Sequence, residues 1–592
     1  MSVDSSQLIS PIQQTPLSQQ GKSLQLTQLI LSDGLATYPA DILRKQTQAK
    51  ILSNLLQSRR RGIWTNRDCG WVRGRSSTFN SGAAILDFGI FYTPTGTAVM
   101  LFQAGSKLYS YDLTTHTETQ LLTGLNATAV PCMRPFMATA ASSTPITIYT
   151  SSKSTQAAKI TAANAAAVFN LNGGTASNWG STAAPLAVKT YASPAFCEPY
   201  GNRMVYGGFD ATTNTSTGMD VLITNFGTYD TVSQSGTLLA TDGGVFTVPP
   251  ILGPITGIRS KKLSNQTNDE VVIIGCQRGV AVITGTDATD YSLKIATREF
   301  GIVSNRTWVD LMNDLLFVAD DGVRTFSNLA INSNLLTSSL TFELQDLINS
   351  FDKQHLANIW AIHHRDTKDV QFWFPLAADG SSGQCQHALV MNYAANISGP
   401  QTTITPCWST RDGTAVASGI EFPDQNTGNT LNPLVKTFYG GGYDGLLQKH
   451  YNGNLFDTTP VPFQAVFALA SNGNPALGQS VRKVVFLTSG GSQKFIANAY
   501  FYETQGDQYG STIRRGAPQS NTLLQAPSSS GTALGTWVLG VSAFPSDYTR
   551  LVDFEPSGEG RFLELQVLGN SSDHYVDLLG AEIILSGGGT RR

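Results

Sequence analysis

Between Asp269 and Ser327 short apolar runs alternate with turns, and this is where the chain shows its building unit. Val271, Val272, Ile273 and Ile274 form one run, Cys276 to Gly279 a turn, and Val280 to Thr284 a return run, which together predict a β-hairpin. The pattern recurs at Leu315 to Ala319, with Asp320, Asp321 and Gly322 as the reversal and Val323 to Phe326 as the second arm. Leu315 to Ala319 is apolar at every position, so both faces of that strand are expected to be covered, whereas Val323 to Phe326 alternates and leaves one face outward. A propeller blade has this profile, and so does an open sandwich of tandem hairpins; the propeller is the preferred reading.

The same signals mark out the rest of the chain. Residues 1–35 read as an extended arm in which Leu24 to Leu31 can add a strand to a sheet. Pro39 is expected to open a helix, with Asp41 in its first turn and Ile42, Ala49, Leu52, Leu55 and Leu56 near one face. Runs at 98–102, 108–111 and 119–122 predict a three-stranded meander. Residues 138–192 are rich in Ala, Ser, Thr, Asn and Gly and read as a low-complexity insertion. Ser338 or Ser339 is expected to cap a second helix carrying Leu340, Leu344, Leu347, Ile348 and Phe351. From residue 83 to 452 there are five to seven hairpins, the range a propeller needs. The expected fold is therefore mainly β with few helices: an N-terminal arm, helix and docking segment over 1–82, a β-propeller-like region over 83–455, and a C-terminal β-sandwich or platform over 456–592.

Composition narrows the class. Charged residues are 14% of the 592, against roughly 25% in an average soluble domain. Small neutral polar residues take their place, as suits a β-rich protein that assembles into large complexes. The formal net charge of -3 gives no global attraction to nucleic acid. The six cysteines, Cys69, Cys132, Cys197, Cys276, Cys385 and Cys407, are scattered without a Cys-x-x-Cys pair, so free, mostly buried thiols are expected rather than zinc ribbons or a disulfide framework. Met1 to Gln20 lacks the basic start and apolar core of a signal peptide, and no run approaches the ~20 apolar residues of a membrane helix. The protein is expected to stay in the cytosol that makes it.

One dense charge cluster stands out: Arg59, Arg60, Arg61, Arg67, Arg73 and Arg75, interleaved with Trp64 and Trp71. Arginines can contact phosphates while tryptophans stack on bases. Arginine with aromatics is also the composition of protein interfaces, and intersubunit or adaptor docking is preferred over DNA contact. Other chemistry is thin. Gly21, Lys22 and Ser23 mimic the end of a phosphate-binding loop, but Pro16 stands where its first glycine belongs. His363 and His364 point to opposite faces of a strand, which opposes a shared metal. Asp320 and Asp321 more simply set a turn than act as a catalytic pair. No catalytic residue, metal or cofactor is expected.

The order of Gly201 to Gly208, Gly253 to Gly257, Val271 to Gly279, Phe300 to Ser304 and Leu315 to Val323 resembles the tail nozzle proteins of short-tailed, T7-like and related bacteriophages. Ile362 to His364, Phe372 to Phe374 and Thr437 to Gly445 fit the same series, so the resemblance covers about residues 195–450. It implies a structural virion protein without enzymatic activity, made in the host bacterial cytoplasm and carried in the tail. Such proteins form a homohexameric ring whose channel guides double-stranded genomic DNA out without sequence-specific binding. They contact a tail adaptor and tail fibre or spike proteins, and a propeller decorates a β-rich platform. Channel-lining loops are expected to be neutral or acidic, since every phosphate paired with Lys or Arg adds attraction.

Two rivals stand beside this reading. A carbohydrate-binding propeller for host attachment would present exposed aromatics such as Trp360, Trp373 or Trp408. A virion-borne hydrolase would need converging carboxylates.

Overall fold

The apolar runs become strands, and successive hairpins become four-stranded antiparallel sheets. A computed structural model of the protein describes residues 63–137, 145–151, 157–169, 194–209, 218–232, 238–262, 270–311, 314–326, 339–380, 382–393, 407–425 and 431–470. It also describes 18–19, 22–30, 34–37 and 48–57, and towards the C-terminus 479–488, 493–504, 513–514, 519–525, 550–556, 559–560, 562–570 and 576–587. The chain divides into two units. One comprises 71–390 and 412–451; the other comprises 1–70, 391–411 and 452–592.

The first unit is a β-propeller, with seven sheets among the described residues. Blade one is Ile85–Tyr92, Ala98–Ala104, Lys107–Asp112 and Thr117–Leu122; blade two is Pro131–Phe136, Ile146–Ser151, Ala157–Ala162 and Ala165–Phe169. Blade three is Pro194–Tyr200, Arg203–Phe209, Asp220–Ile223 and Gly244–Thr247; blade four is Ile255–Lys262, Glu270–Cys276, Gly279–Thr284 and Ser292–Thr297. Blade five has Val309–Leu311, Asp314–Ala319 and Gly322–Thr325, and blade six begins with Trp360–His364, Asp369–Phe374 and His387–Asn392. Blade seven is Val416–Gln425, Leu431–Gly442 and Leu447–His450, completed by Trp71–Arg73. The first strand of each blade packs on the first strand or leading turn of the next, and that of blade seven packs on blade one. There the Ser418 hydroxyl donates to the Ile85 carbonyl at 2.7 Å.

Closure thus joins sequence-distant segments. Trp71–Arg73 precedes blade one and pairs antiparallel with Leu447–His450, the third strand of the last blade, so the sheet cannot be completed until both ends of the unit are present. The hairpin at 314–325 shows how a turn is specified: Gly322 has φ 132°, and a Cβ there would lie 2.1 Å from the Thr341 hydroxyl. The fully apolar run of the sequence, Leu315 to Ala319, is buried throughout, as both-face coverage requires.

Among the described residues of the second unit, two large sheets are built from both ends of the chain. In one, Lys22–Ile30 pairs with Asp577–Gly587, which pairs with Gln479–Thr488 and through it with Arg550–Phe554. In the other, Gln48–Ser53 pairs with Phe463–Phe467, followed by Phe562–Gly569, Gln493–Thr504 and Gln519–Gln525. Phe486 of one sheet meets Phe495 of the other edge-on at 5.5 Å.

Three expectations need correction. The helix opened by Pro39 is absent from the described part of its span: Gln48–Ser53 is a strand and Leu56–Gln57 another, while residues 38–47 lie outside the described residues. Ala49, Leu52, Leu55 and Leu56 are buried as expected, but pairing with Gly34–Leu35 and Phe463–Phe467 decides their conformation. The supposed insertion at 138–192 supplies blade strands at 146–151, 157–162 and 165–169; its remainder lies largely outside the described residues. The second helix shrinks to a 3-10 turn, Phe342–Leu344, running into Gln345–Asn349, with Leu344 and Ile348 buried and no side-chain cap. No helix among the described residues is long and apolar enough to cross a membrane.

Candidate functional site

A strand that leads its blade presents alternate side chains to the neighbouring blades, and there the apolar pattern admits charged residues. Arg134 of blade two donates from Nε to Glu198 of blade three at 2.7 Å. The other oxygen of Glu198 is 3.5 Å from Arg259 of blade four, and Arg259 in turn pairs with Asp310 of blade five. Nδ1 of His363 in blade six lies 3.0 Å from the Asp310 carbonyl oxygen. In blade seven Glu421 is held by Arg365 at 3.6 Å and Lys436 at 3.8 Å. A belt of alternating sign therefore runs from blade two to blade five, extended to blade six by the His363 contact with backbone, and a separate charge group joins blades six and seven.

Burial decides what this belt can do. Glu198 is only 3% exposed, and besides two guanidinium groups it accepts from the Ser260 amide at 3.3 Å. Its oxygens are committed to holding blades together. Asp87 of blade one is pushed up to about 6, first by burial, against the opposing pull of Arg306, the Phe88 amide and Arg134. His363 falls to about 4, because burial and the neighbouring Arg365 both disfavour the imidazolium.

Arg306 acts as a spoke. It sits in the 3-10 turn Asn305–Thr307, where the Ser304 hydroxyl accepts from its amide. Its Nη1 donates to the carbonyls of Leu86 at 3.1 Å and Ala417 at 2.8 Å, and Nη2 donates to that of Asn358 at 2.8 Å. One side chain thereby satisfies backbone acceptors from blades one and seven and from the turn before blade six. Beside it opens a cavity of about 570 Å³, walled by Val130, Pro131, Phe196 and Ile255, with Asn305, Arg306 and Asn358 as polar groups. That volume is in the range of small-molecule pockets.

The sequence-predicted docking cluster is used largely within the chain. Trp64 is 1% exposed and Trp71 8%, so neither offers a stacking face; Trp71 Nε1 donates to Thr414 Oγ1 at 2.9 Å. Arg67 embraces the Asp577 carboxylate at 3.1 and 2.5 Å. Arg75 pairs with Glu118 and lies 4.4 Å over the Phe79 ring. Arg73 is exposed at the end of its strand, and Arg59, Arg60 and Arg61 lie outside the described residues. The division between the units, at Gly70/Trp71, runs through the cluster.

Other candidates resolve as structure. His364 is buried and stacks on Tyr451 at 4.5 Å, while His363 turns to the belt, as opposite faces of a strand require. Asp321 pairs with Arg324 beside the Gly322 turn. All six cysteines are buried thiols outside any disulfide. Trp360, Trp373 and Trp408 are at most 3% exposed, which removes the stacking surfaces that the sugar-binding reading relied on. The belt itself was missed in the sequence. Its signal was a lone charge in the first strands of blades one, two, three and five, namely Asp87, Arg134, Glu198 and Asp310, whereas Arg259 of blade four stands beside Lys261 and Lys262.

No protein-family model matches the chain, and no curated protein matches it in sequence. Solved structures with some likeness include BBS1N in complex with ARL6DN, at 12% identity over 65% of this chain and 98% of that one, with a TM-score of 0.35. The Dos1 propeller gives 8% identity, 65% and 97% coverage and a TM-score of 0.34. An exo-β-1,3-galactanase from Phanerochaete chrysosporium gives 10% identity, 87% and 99% coverage and a TM-score of 0.24. At these scores the propeller assignment rests on the sheets and their closure described above.

Proposed function

We propose that the chain is a structural subunit of a short-tailed phage tail, a nozzle protein rather than an enzyme. In this reading six copies form a ring with a central channel for the ejected genome, and adaptor and fibre or spike proteins attach to it. The supporting observation is topological. Both ends of the chain, together with residues 391–411, build one β unit, and the propeller is formed by the intervening 71–390 and 412–451. That is the arrangement the nozzle resemblance implies, with a β-rich platform made for assembly and a propeller carried on it. The belt is consistent with a scaffold role, since its charges are spent on joining blades.

Docking falls to the segment 59–75, whose exposed described residues include Arg67, Asp68 and Arg73. Single-particle imaging of the purified chain, with and without the adaptor encoded beside it, tests the proposal. A ring with an axial channel wide enough for duplex DNA is expected. Monomers that persist with adaptor present would overturn it.

A further inference from the structure

Cys132 lies in the innermost strand of blade two and Cys197 in that of blade three. Their sulfurs are 3.9 Å apart. Both are buried, at 3% and 0% exposure, and each faces the other's backbone: the Cys132 thiol donates to the Cys197 carbonyl at 3.3 Å, and the Cys197 thiol lies 3.7 Å from the Cys132 carbonyl. The two strands belong to different sheets, so no ladder joins them. Side-chain packing and the Arg134–Glu198 pair hold this junction.

We propose that Cys132 and Cys197 are a redox modification site that a hydroperoxide closes to a disulfide, fastening blade two to blade three. Modest side-chain rotation suffices, because the sulfurs already touch and a disulfide needs them about 2 Å apart. The chemistry also selects this pair. The thiol of Cys197 donating to it, and the Arg134 guanidinium nearby, bring Cys132 below the usual thiol value despite its burial. Burial instead pushes Cys276 and Cys385 up to about 12, leaving them as inert thiols. The cavity lies next to the pair: Pro131 and Phe196, each adjacent in sequence to a cysteine, wall it, and Asn305, which also lines it, places its amide nitrogen 3.5 Å from the Cys132 sulfur. Hydrogen peroxide is little larger than the water such a space admits.

The reaction balances in two steps. The Cys132 thiolate attacks one peroxide oxygen; an S–O bond forms, the O–O bond breaks, and hydroxide leaves and takes up a proton as water. The Cys197 sulfur then attacks the Cys132 sulfur; the S–S bond forms, the S–O bond breaks, and the departing hydroxide leaves with the Cys197 proton as a second water. Two thiols are oxidised and one peroxide is reduced.

The test uses the full-length chain, reduced, freed of reductant and treated with one equivalent of hydrogen peroxide. Unfolding, alkylation and peptide mass spectrometry then locate the blocked thiols. The expected result is a Cys132–Cys197 cross-linked peptide, with the other four of the six cysteines still alkylated. Reducing agent should restore all six. In Cys197→Ser the cross-link is lost and Cys132 stops at the sulfenic acid, trapped by dimedone. Both thiols remaining alkylatable in the untouched chain, or oxidation falling on the other cysteines first, would overturn the proposal without any variant having to fold.

Discussion

Blades two and four have the same four-strand topology and opposite sequences. In blade four, Val272, Ile274, Ala281 and Ile283 come from its own central strands and meet Val205, Val221 and Ile223 of blade three in one cluster. In blade two the third strand offers Ala157, Ala158 and Ile160, and the fourth is mostly alanine and partly exposed. The missing volume is supplied from outside. Phe91, Leu101 and Leu108 of blade one pack against Tyr149 and Ala158, and Met204, Tyr206 and Leu222 of blade three pack against Ile148 and Ala157. A blade core is therefore shared property, and a strand of small residues is held when both neighbours bring large ones.

The contrast predicts that the two blades fail in opposite ways. Removing volume should hurt blade four most. Ile274 is fully buried, and Ile274→Ala should cost about 2–5 kcal/mol through lost burial and the cavity left. Hydrogen exchange read by mass spectrometry should show the loss first in peptides covering 270–284; unchanged protection there would mean that blade four does not depend on its own aliphatics. Blade two should instead fail by overfilling. Ala158 has no exposed surface and faces Phe91, Leu101 and Tyr149, so Ala158→Leu should cost about 1–3 kcal/mol. A leucine accepted there without loss of protection over 146–169 would show that the neighbours do not fill the space.

The same contrast explains what could be read in advance. The strands at 271–276, 280–284 and 315–319 were legible because strands covered on both faces must be apolar at nearly every position, whereas the outward face expected of Val323 to Phe326 is absent, Arg324 and Thr325 being buried too. Blade two was not, since its own strands carry few large groups and the information sits in Phe91, Leu101, Met204 and Tyr206, tens of residues away. The helix expected from Pro39 failed for a related reason: three- and four-residue spacing of Ala49, Leu52 and Leu56 fits a helix, and only partners at 463–467 reveal a strand. Trp64 and Trp71 looked like docking surface beside arginines, yet large aromatics are as readily core, and both are buried. The belt eluded reading because Arg134, Glu198, Arg259 and Asp310 stand tens of residues apart in sequence and meet only after the ring closes.

Blade six adds a third way of holding strands, and the smallest expected effect. His387 places Nδ1 2.6 Å from an Asp412 oxygen and Nε2 2.9 Å from an Asp379 oxygen, so both ring nitrogens face acceptors and the imidazolium is the fitting form. Burial alone would lower its pKa; the hydrogen bond and charge of Asp412, with those of Asp379, outweigh it and raise the value. A raised folded-state pKa gives stability that is complete below the unfolded value of about 6.5 and is lost as pH rises through the folded value. Because the group keeps some contact with solvent, the contribution should be only about 0.5–1 kcal/mol. His387→Gln, which keeps a polar group but cannot carry the charge, should therefore lower the urea midpoint at pH 5.5 and do so less at pH 8.5. An equal deficit at both pH values would mean that His387 is neutral in the folded protein. Blade six would then be held as blade four is, by packing around Trp360 and Trp373 rather than by charge.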